Sequence, residues 1–271
     1  MEKKYSEKYP VVMTIAGSDS GAGAGIQADL KTISALGGYG LTVITAITAQ
    51  NTCGVIGIQP VSLDMIEKQL HALASDFPIY SMKTGMLHNV EVINLVANFI
   101  NERQIRDFVL DPVMVATSGD KLILEDTTKA LIEKLIPLAR IITPNLDEAE
   151  TILDKKITTI DELKKAAVDL LEFGSEAVWL KGGHLRIDDK VYDVMVQKSN
   201  LVPILMTTER IETANIHGTG CTLSAALATF LAHGNNIEPA IFNSKHYINQ
   251  AIMAAQHLKL GQGNGPLKHF F

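Results

Sequence analysis

Several things are scarce in this chain, and each scarcity excludes something. Only two of its 271 residues are cysteine, Cys53 and Cys221. They stand far apart and neither belongs to a C-x-x-C pair, which excludes a disulfide framework and a zinc-knuckle site. Tryptophan occurs once and aromatic residues make up 6% of the chain. No basic array is interleaved with them, so a surface for stacking nucleobases is missing. Positive charge is also short, with 24 Lys and Arg against 30 Asp and Glu, a net −6. No global field draws nucleic acid or anionic membrane, and an anionic ligand has to be held by local features. The longest apolar runs, such as Val11–Ala16, are strand-sized, far below the ~20 residues of a membrane span. The eight histidines show no H-E-x-x-H or other metal spacing, so most are expected at the surface or in packing. Met1–Lys8 is charged, with no apolar segment behind it. No Pro- or Ser-rich linker, low-complexity tract or internal repeat divides the chain. These absences predict one domain over residues 1–271 in a soluble, cytoplasmic protein that binds a small molecule, with no nucleic-acid or membrane partner.

What is present is a globular composition, 46% hydrophobic and 20% charged, on a chain long enough to bury roughly three quarters of its unfolded surface. Strands are predicted near 11–16, 41–48, 55–60, 107–111, 139–143, 176–181, 190–196 and 202–206. Helices are predicted near 25–37, 63–74, 89–102, 126–135, 145–153, 159–173, 220–233 and 237–258. Near-continuous apolar strands such as Phe108-Val109-Leu110 point to a parallel sheet covered on both faces. Thr159 with Glu162 three residues on reads as a capping box before a helix striped by Leu163, Ala167 and Leu170. The segment 184–212 reads as paired strands around Arg186–Asp189. The alternation of strand and helix makes the class α/β.

In an open parallel sheet ligands bind beyond the carboxyl ends of the strands, so the residues after each strand are the candidates. Gly17-Ser18-Asp19-Ser20-Gly21-Ala22-Gly23-Ala24-Gly25 joins a strand to a helix, a geometry that lets backbone approach a ligand or simply turns the chain. It is not G-x-G-x-x-G, and no G-K-[ST] occurs, which removes the dinucleotide and P-loop readings. Gln50 ends the second strand; its amide suits an aminopyrimidine edge, or bonds its own turn. Asp111 ends a strand on the ligand edge. Asn145 and Glu148 lie three apart in a first helical turn, fitting either water-mediated Mg²⁺ orientation or a helix cap. Lys181 ends a buried strand before Gly182 and Gly183, where it reaches a phosphate or points to solvent. His217-Gly218-Thr219-Gly220-Cys221-Thr222 opens directly onto an apolar helix. Free N–H groups there form an anion hole, and Cys221 sits where the helix dipole is expected to lower a thiol pKa, giving a thiolate to take a proton from an alcohol. The other reading is a small buried cysteine among packing glycines.

The order of these segments, with Gln27-Ala28-Asp29-Leu30-Lys31, Lys83-Thr84-Gly85-Met86-Leu87, Asp111-Pro112-Val113-Met114 and the late stretch 261–269, closely resembles the hydroxymethylpyrimidine/phosphomethylpyrimidine kinases of thiamine biosynthesis, in the ribokinase-like superfamily. The resemblance spans nearly the whole chain. It implies a three-layer α/β/α sandwich, a homodimer, and ATP- and Mg²⁺-dependent phosphorylation of 4-amino-5-hydroxymethyl-2-methylpyrimidine and then of its monophosphate. It assigns the pyrimidine to Gln50, with Gly17, Asp29, Met86 and Val113 lining the same pocket. It makes Cys221 the general base and Gly218, Thr219 and Gly220 the anion hole. It puts Asn145, Lys181, Gly182 and Thr219 near the nucleotide and Glu148 with Asp111 at Mg²⁺. The first loop departs from many relatives, which carry a Pro-Ser or Ser-Ser pair before the glycines. Pyridoxal kinase of the same fold is the nearest alternative. Outside the family stand a non-catalytic nucleotide- or pyrimidine-binding regulator and a hydrolase using Cys221 as nucleophile with His217 as base. Residues 113–120 and 184–189 are the candidate closing loops.

Overall fold

The structure is a computed structural model that describes residues 9–114 and 125–271; most of the candidate closing loop 113–120 lies outside them. In chain order the elements are β1 (Val11–Asp19), α1 (Gly25–Ala35), β2 (Tyr39–Asn51), β3 (Gly54–Pro60), α2 (Leu63–Ala74), β4 (Ser81–Thr84), α3 (Val90–Arg103) and β5 (Phe108–Leu110). Then come α4 (Glu125–Ala130), β6 (Ile141–Ile142), α5 (Leu146–Leu153), α6 (Ile160–Leu170), β7 (Ala177–Leu180), β8 (Lys190–Gln197), β9 (Asn200–Glu209), α7 (Thr219–Ala232) and α8 (Ile237–Ala255). The strands form one sheet of order β3-β2-β1-β4-β5-β6-β7-β8-β9. From β2 to β7 the pairings are parallel, while β3, β8 and β9 pair antiparallel at the two edges.

Alternation along the strands sorts the core into two layers. Met13, Ile15, Met82, Leu110 and Leu180 pack with α2 through α6 on one face. Val12, Val109 and Trp179 pack with α1, α7 and α8 on the other. The sheet is thus covered on both sides, giving three α/β/α layers. α7 is buried nearly all round, between α1, α8 and the sheet, as expected of a helix without a polar face. Among the described residues no helix is long and apolar enough to cross a membrane.

Three local readings change. β4 was not anticipated: Ser81-Met82-Lys83-Thr84 reads as polar, yet all four residues are buried, because Lys83 has an internal partner. The hairpin of 184–212 turns at residues 198–199, between β8 and β9, and Arg186–Asp189 is instead a loop ahead of β8. The helix expected over 126–135 keeps α geometry only to Ala130, then widens through Leu131–Leu135 and tightens at Ile136–Leu138. Pro137 explains this, since it has no N–H and crowds the preceding turn. The capping box at Thr159 and Glu162 forms as expected.

Candidate active site

The site lies where the carboxyl ends of β1, β2, β4, β5 and β7 meet the first turn of α7. The pleat decides which side chains arrive there. Asp111 and Lys181 each follow by two residues a side chain, Val109 or Trp179, that packs toward α7, so both turn to the same face. Lys181 Nζ donates to Asp111 Oδ1 at 3.0 Å, Thr143 Oγ1 donates to the same oxygen at 3.1 Å, and Ser224 Oγ of α7 donates to Oδ2 at 3.2 Å. A Cβ added to Gly220 would sit 3.5 Å from Lys181 Nζ and 3.6 Å from Asp111 Oδ2. The lysine, the carboxylate and the helix end are therefore one cluster.

α7 begins without a side-chain cap. Its N-cap Gly218 has φ +81° and no side chain to donate or accept, and a Cβ there would run into the Gly23 carbonyl oxygen. Only glycine allows the first loop and the helix end to approach this closely. Thr219 N donates to Ile216 O at 3.2 Å and Thr222 N to Gly218 O at 2.9 Å. Among the described residues the N–H groups of Gly220 and Cys221 are left without an acceptor, the arrangement that suits an anion at a helix N-terminus.

The first loop is wound around Asp19. Its Oδ1 accepts from Gly21 N at 2.8 Å, and its Oδ2 accepts from Gly23 N at 3.0 Å and Ala24 N at 2.8 Å. His217 Nε2 lies 2.9 Å from the same Oδ2 and 3.4 Å from Gln50 Nε2. His217 thereby joins the first loop, the end of β2 and the approach to α7. The C-terminal stretch holds it in turn, with Gly265 O accepting from His217 N at 3.0 Å and Pro266 bridging beside it. Gly17 and Met86 adjoin each other, a Cβ on Gly17 falling 2.8 Å from Met86 Cε. Val113 is half-buried, its N–H donating to Asp111 O at 2.8 Å.

Three expected positions, one of them the pair Asn145 and Glu148, sit differently from a simple reading of the sequence. Asp29, expected in the substrate pocket, has no exposed surface; Lys83 Nζ donates to its two oxygens at 2.9 and 3.0 Å, and Thr14 Oγ1 donates at 2.6 Å. Burial works against the Lys83 ammonium, but the charge of Asp29, with Cys221 and Asp111 nearby, outweighs it and raises its pKa. Asn145 and Glu148 form a full capping box, Asn145 Oδ1 accepting from Glu148 N and Glu148 Oε2 accepting from Asn145 N. Glu148 is at the same time 5% exposed and pushed up to about 7 by burial and by Asp111, against the pull of Lys181. The third is Cys221. The helix end was expected to lower its thiol pKa, and the opposite holds: burial, with the charges of Asp29 and Asp111, pushes it up to about 11, outweighing Lys83 and the Gly25 N–H. Nor is the hydrolase pair formed: among the described residues His217 makes no hydrogen bond to Cys221, its Nε2 facing Asp19 and Gln50.

Asp19, Thr48 and Lys83 were given no site role from the sequence, and His217 entered only as the base of the hydrolase reading. His217 had a signal, standing immediately before the glycine turn; what joins the others to the site is a partner distant in sequence, His217 for Asp19, Ser18 for Thr48 and Asp29 for Lys83.

The chain matches the family described as Phosphomethylpyrimidine kinase over residues 19–268. It is 47% identical over 261 residues to the hydroxymethylpyrimidine/phosphomethylpyrimidine kinase of Rhizobium meliloti (strain 1021), covering 96% of this chain and 97% of that one. A phosphomethylpyrimidine kinase structure from Clostridium difficile 630 superposes with a TM-score of 0.79 at 42% identity, over 90% of this chain and 100% of that one. The pyridoxal kinase of Staphylococcus aureus in complex with ADP superposes with a TM-score of 0.88 at 35% identity, over 97% of this chain and 94% of that one. The fold is accordingly ribokinase-like, the chemistry is phosphoryl transfer, and the chain belongs to the phosphomethylpyrimidine kinase family.

Proposed function

We propose that this protein phosphorylates 4-amino-5-hydroxymethyl-2-methylpyrimidine with ATP and then phosphorylates the monophosphate to the diphosphate at the same site. The observation that carries this reading is the link from Gln50 through His217 to the uncapped turn of α7. It sets a group able to read an aminopyrimidine edge beside a group of N–H donors able to hold a phosphoryl. Gln50 holds the ring, and Gly17, Met86 and Val113 flank it. Asp29 acts from behind the pocket through Lys83. The Gly218–Cys221 turn takes the transferring phosphoryl, and Lys181, Asn145 and Thr219 lie along the nucleotide phosphates; Gly182, also expected there, is buried with its N–H given to Asp193 Oδ1.

Positioning and charge stabilisation supply most of the acceleration, since a loose phosphoryl-transfer transition state asks little covalent chemistry of the protein. Cys221 accepts the hydroxyl proton in its ionised fraction, which the raised pKa keeps small at neutral pH. Base catalysis of this kind contributes roughly 10²–10⁴-fold where the base is ionised. In the second step the acceptor is already a phosphate and needs little deprotonation.

The donor set fits Mg²⁺. Glu148 and Asp111 would supply hard oxygen donors, both buried, and burial first and the Asp111 charge second raise the Glu148 pKa against the pull of Lys181. Among the described residues no group of three His, Cys, Asp or Glu could hold a metal by itself, in keeping with an ion that takes its remaining ligands from phosphates and water. When bound, the ion would neutralise charge on the nucleotide phosphates. The reading further includes one domain, a homodimer and a cytoplasmic location.

Pyridoxal kinase remains the second reading, because the Staphylococcus aureus pyridoxal kinases superpose with TM-scores of 0.86 to 0.88. ADP release with hydroxymethylpyrimidine, its monophosphate and pyridoxal, compared side by side, separates the two. The pyrimidines are expected to turn over best; pyridoxal turning over best transfers the assignment, and ligand binding without ADP release would indicate a regulator.

A further inference from the structure

Counting protons around Gln50 yields a constraint on how it faces a ligand. Thr48 Oγ1 lies 2.9 Å from Ser18 O and 3.1 Å from Gln50 Oε1, yet a threonine hydroxyl has one proton and both neighbours are carbonyl acceptors. On the other side His217 Nε2 lies 2.9 Å from Asp19 Oδ2 and 3.4 Å from Gln50 Nε2. Burial pushes the Asp19 carboxyl up, but His217 and the N–H groups of Ala24 and Gly21 outweigh it and hold it below its usual range. Asp19 is therefore an anion that only accepts, and His217 Nε2 must carry the proton. That N–H then faces the amide nitrogen of Gln50, which also only donates. Turning the amide by 180° relieves both conflicts: its NH₂ donates to Thr48 Oγ1, whose own proton goes to Ser18 O, and its oxygen faces the single His217 Nε2–H, which it shares at 3.4 Å with the nearer Asp19 Oδ2 at 2.9 Å. Oxygen and nitrogen of a glutamine amide are assigned by such networks.

We propose that His217 and Thr48 are positioning residues that lock the Gln50 amide with its oxygen on the α7 side and its NH₂ on the β2 side. This rests on the pyrimidine reading above and deepens it. A ligand edge that matches must present its donor toward α7 and its acceptor toward β2. In the 4-aminopyrimidine the donor is the exocyclic amine, the acceptor is N3, and the hydroxymethyl carbon adjoins the amine-bearing carbon. The lock thus turns the hydroxymethyl group toward Cys221. The opposite amide orientation would turn it away. It also selects against the 4-oxo analogue, which has N3–H as donor and the 4-oxygen as acceptor, the reverse order.

The test compares kcat/KM for the 4-amino and 4-oxo substrates in wild type, His217→Leu and His217→Gln. Turnover of the 4-amino compound by wild type tests the functional reading; the ratio in the variants tests the lock. Wild type should prefer the 4-amino compound by roughly 100-fold or more, because the wrong edge leaves buried polar groups unpaired. His217→Leu should shrink that preference at least about tenfold, and His217→Gln, which retains an N–H donor, should restore part of it. Equal losses on both substrates with the ratio unchanged would overturn the proposal. Should His217→Leu not fold, nuclear Overhauser contacts of the Gln50 side-chain amide protons in wild type decide the matter. Contacts to the Thr48 methyl support the lock, and contacts to the His217 ring protons overturn it.

Discussion

Cys221 shows how a residue's chemistry depends on what surrounds it. Its place in the first turn of α7 is legible in the sequence, and the field of a helix end favours a thiolate. Desolvation and two neighbouring carboxylates win instead. Below about pH 11 the thiolate fraction therefore rises with pH, up to about tenfold per unit. The penalty of Cys221→Ala on the first phosphorylation should grow between pH 7 and 10, while its penalty on the second stays flat; pH–rate profiles of both steps in wild type and variant check this. Lys83 is the complementary case, a lysine with no exposed surface in a four-residue strand. Removing one member of a buried pair leaves the other charge unpaired, so Lys83→Met should cost about 3–5 kcal/mol of stability in urea. Adding Asp29→Asn should recover a large part of that loss.

At the scale of elements, the strands buried on both faces and the amphipathic helices were legible because their periodicity is local. β4 was not, since its burial depends on Asp29, 54 positions earlier. The end of the helix after Ala130 was missed because Pro137 acts several residues ahead of itself. The contact between the first loop and α7 is the element-level feature on which the site depends most. Gly218→Ala would place a Cβ against the Gly23 carbonyl in a left-handed backbone conformation. Parting the two elements by even about 1 Å should lower kcat roughly 100-fold or more. Steady-state kinetics with saturating pyrimidine would show it, and an equally placed change at Gly234, where a Cβ meets nothing, should leave kcat near wild type.

Across the whole molecule, the C-terminal stretch closes over what the sheet begins. Gly265 holds His217, and His269 sits buried with Nε2 3.0 Å from Thr222 Oγ1 of α7. Burial, assisted by the charge of Lys31, lowers the His269 pKa from 6.5 to about 4. A histidine kept neutral in the fold contributes stability that is complete above pH 6.5 and is lost as pH falls toward 4, where the folded state must also take the proton. The loss should total about 3 kcal/mol at the lower limit. Urea titrations at pH 7, 6, 5 and 4 should show this slope in wild type, and His269→Gln should flatten it. The class, the three layers and the family were all determined by the sequence, because apolar period, glycine turns and motif order are properties of neighbours along the chain. Tertiary structure alone decided that Asp29 faces Lys83, that Cys221 holds its proton, and that His217 stands between Asp19 and Gln50. Those outcomes depend on distances and burial between segments up to 198 positions apart, which no local pattern encodes.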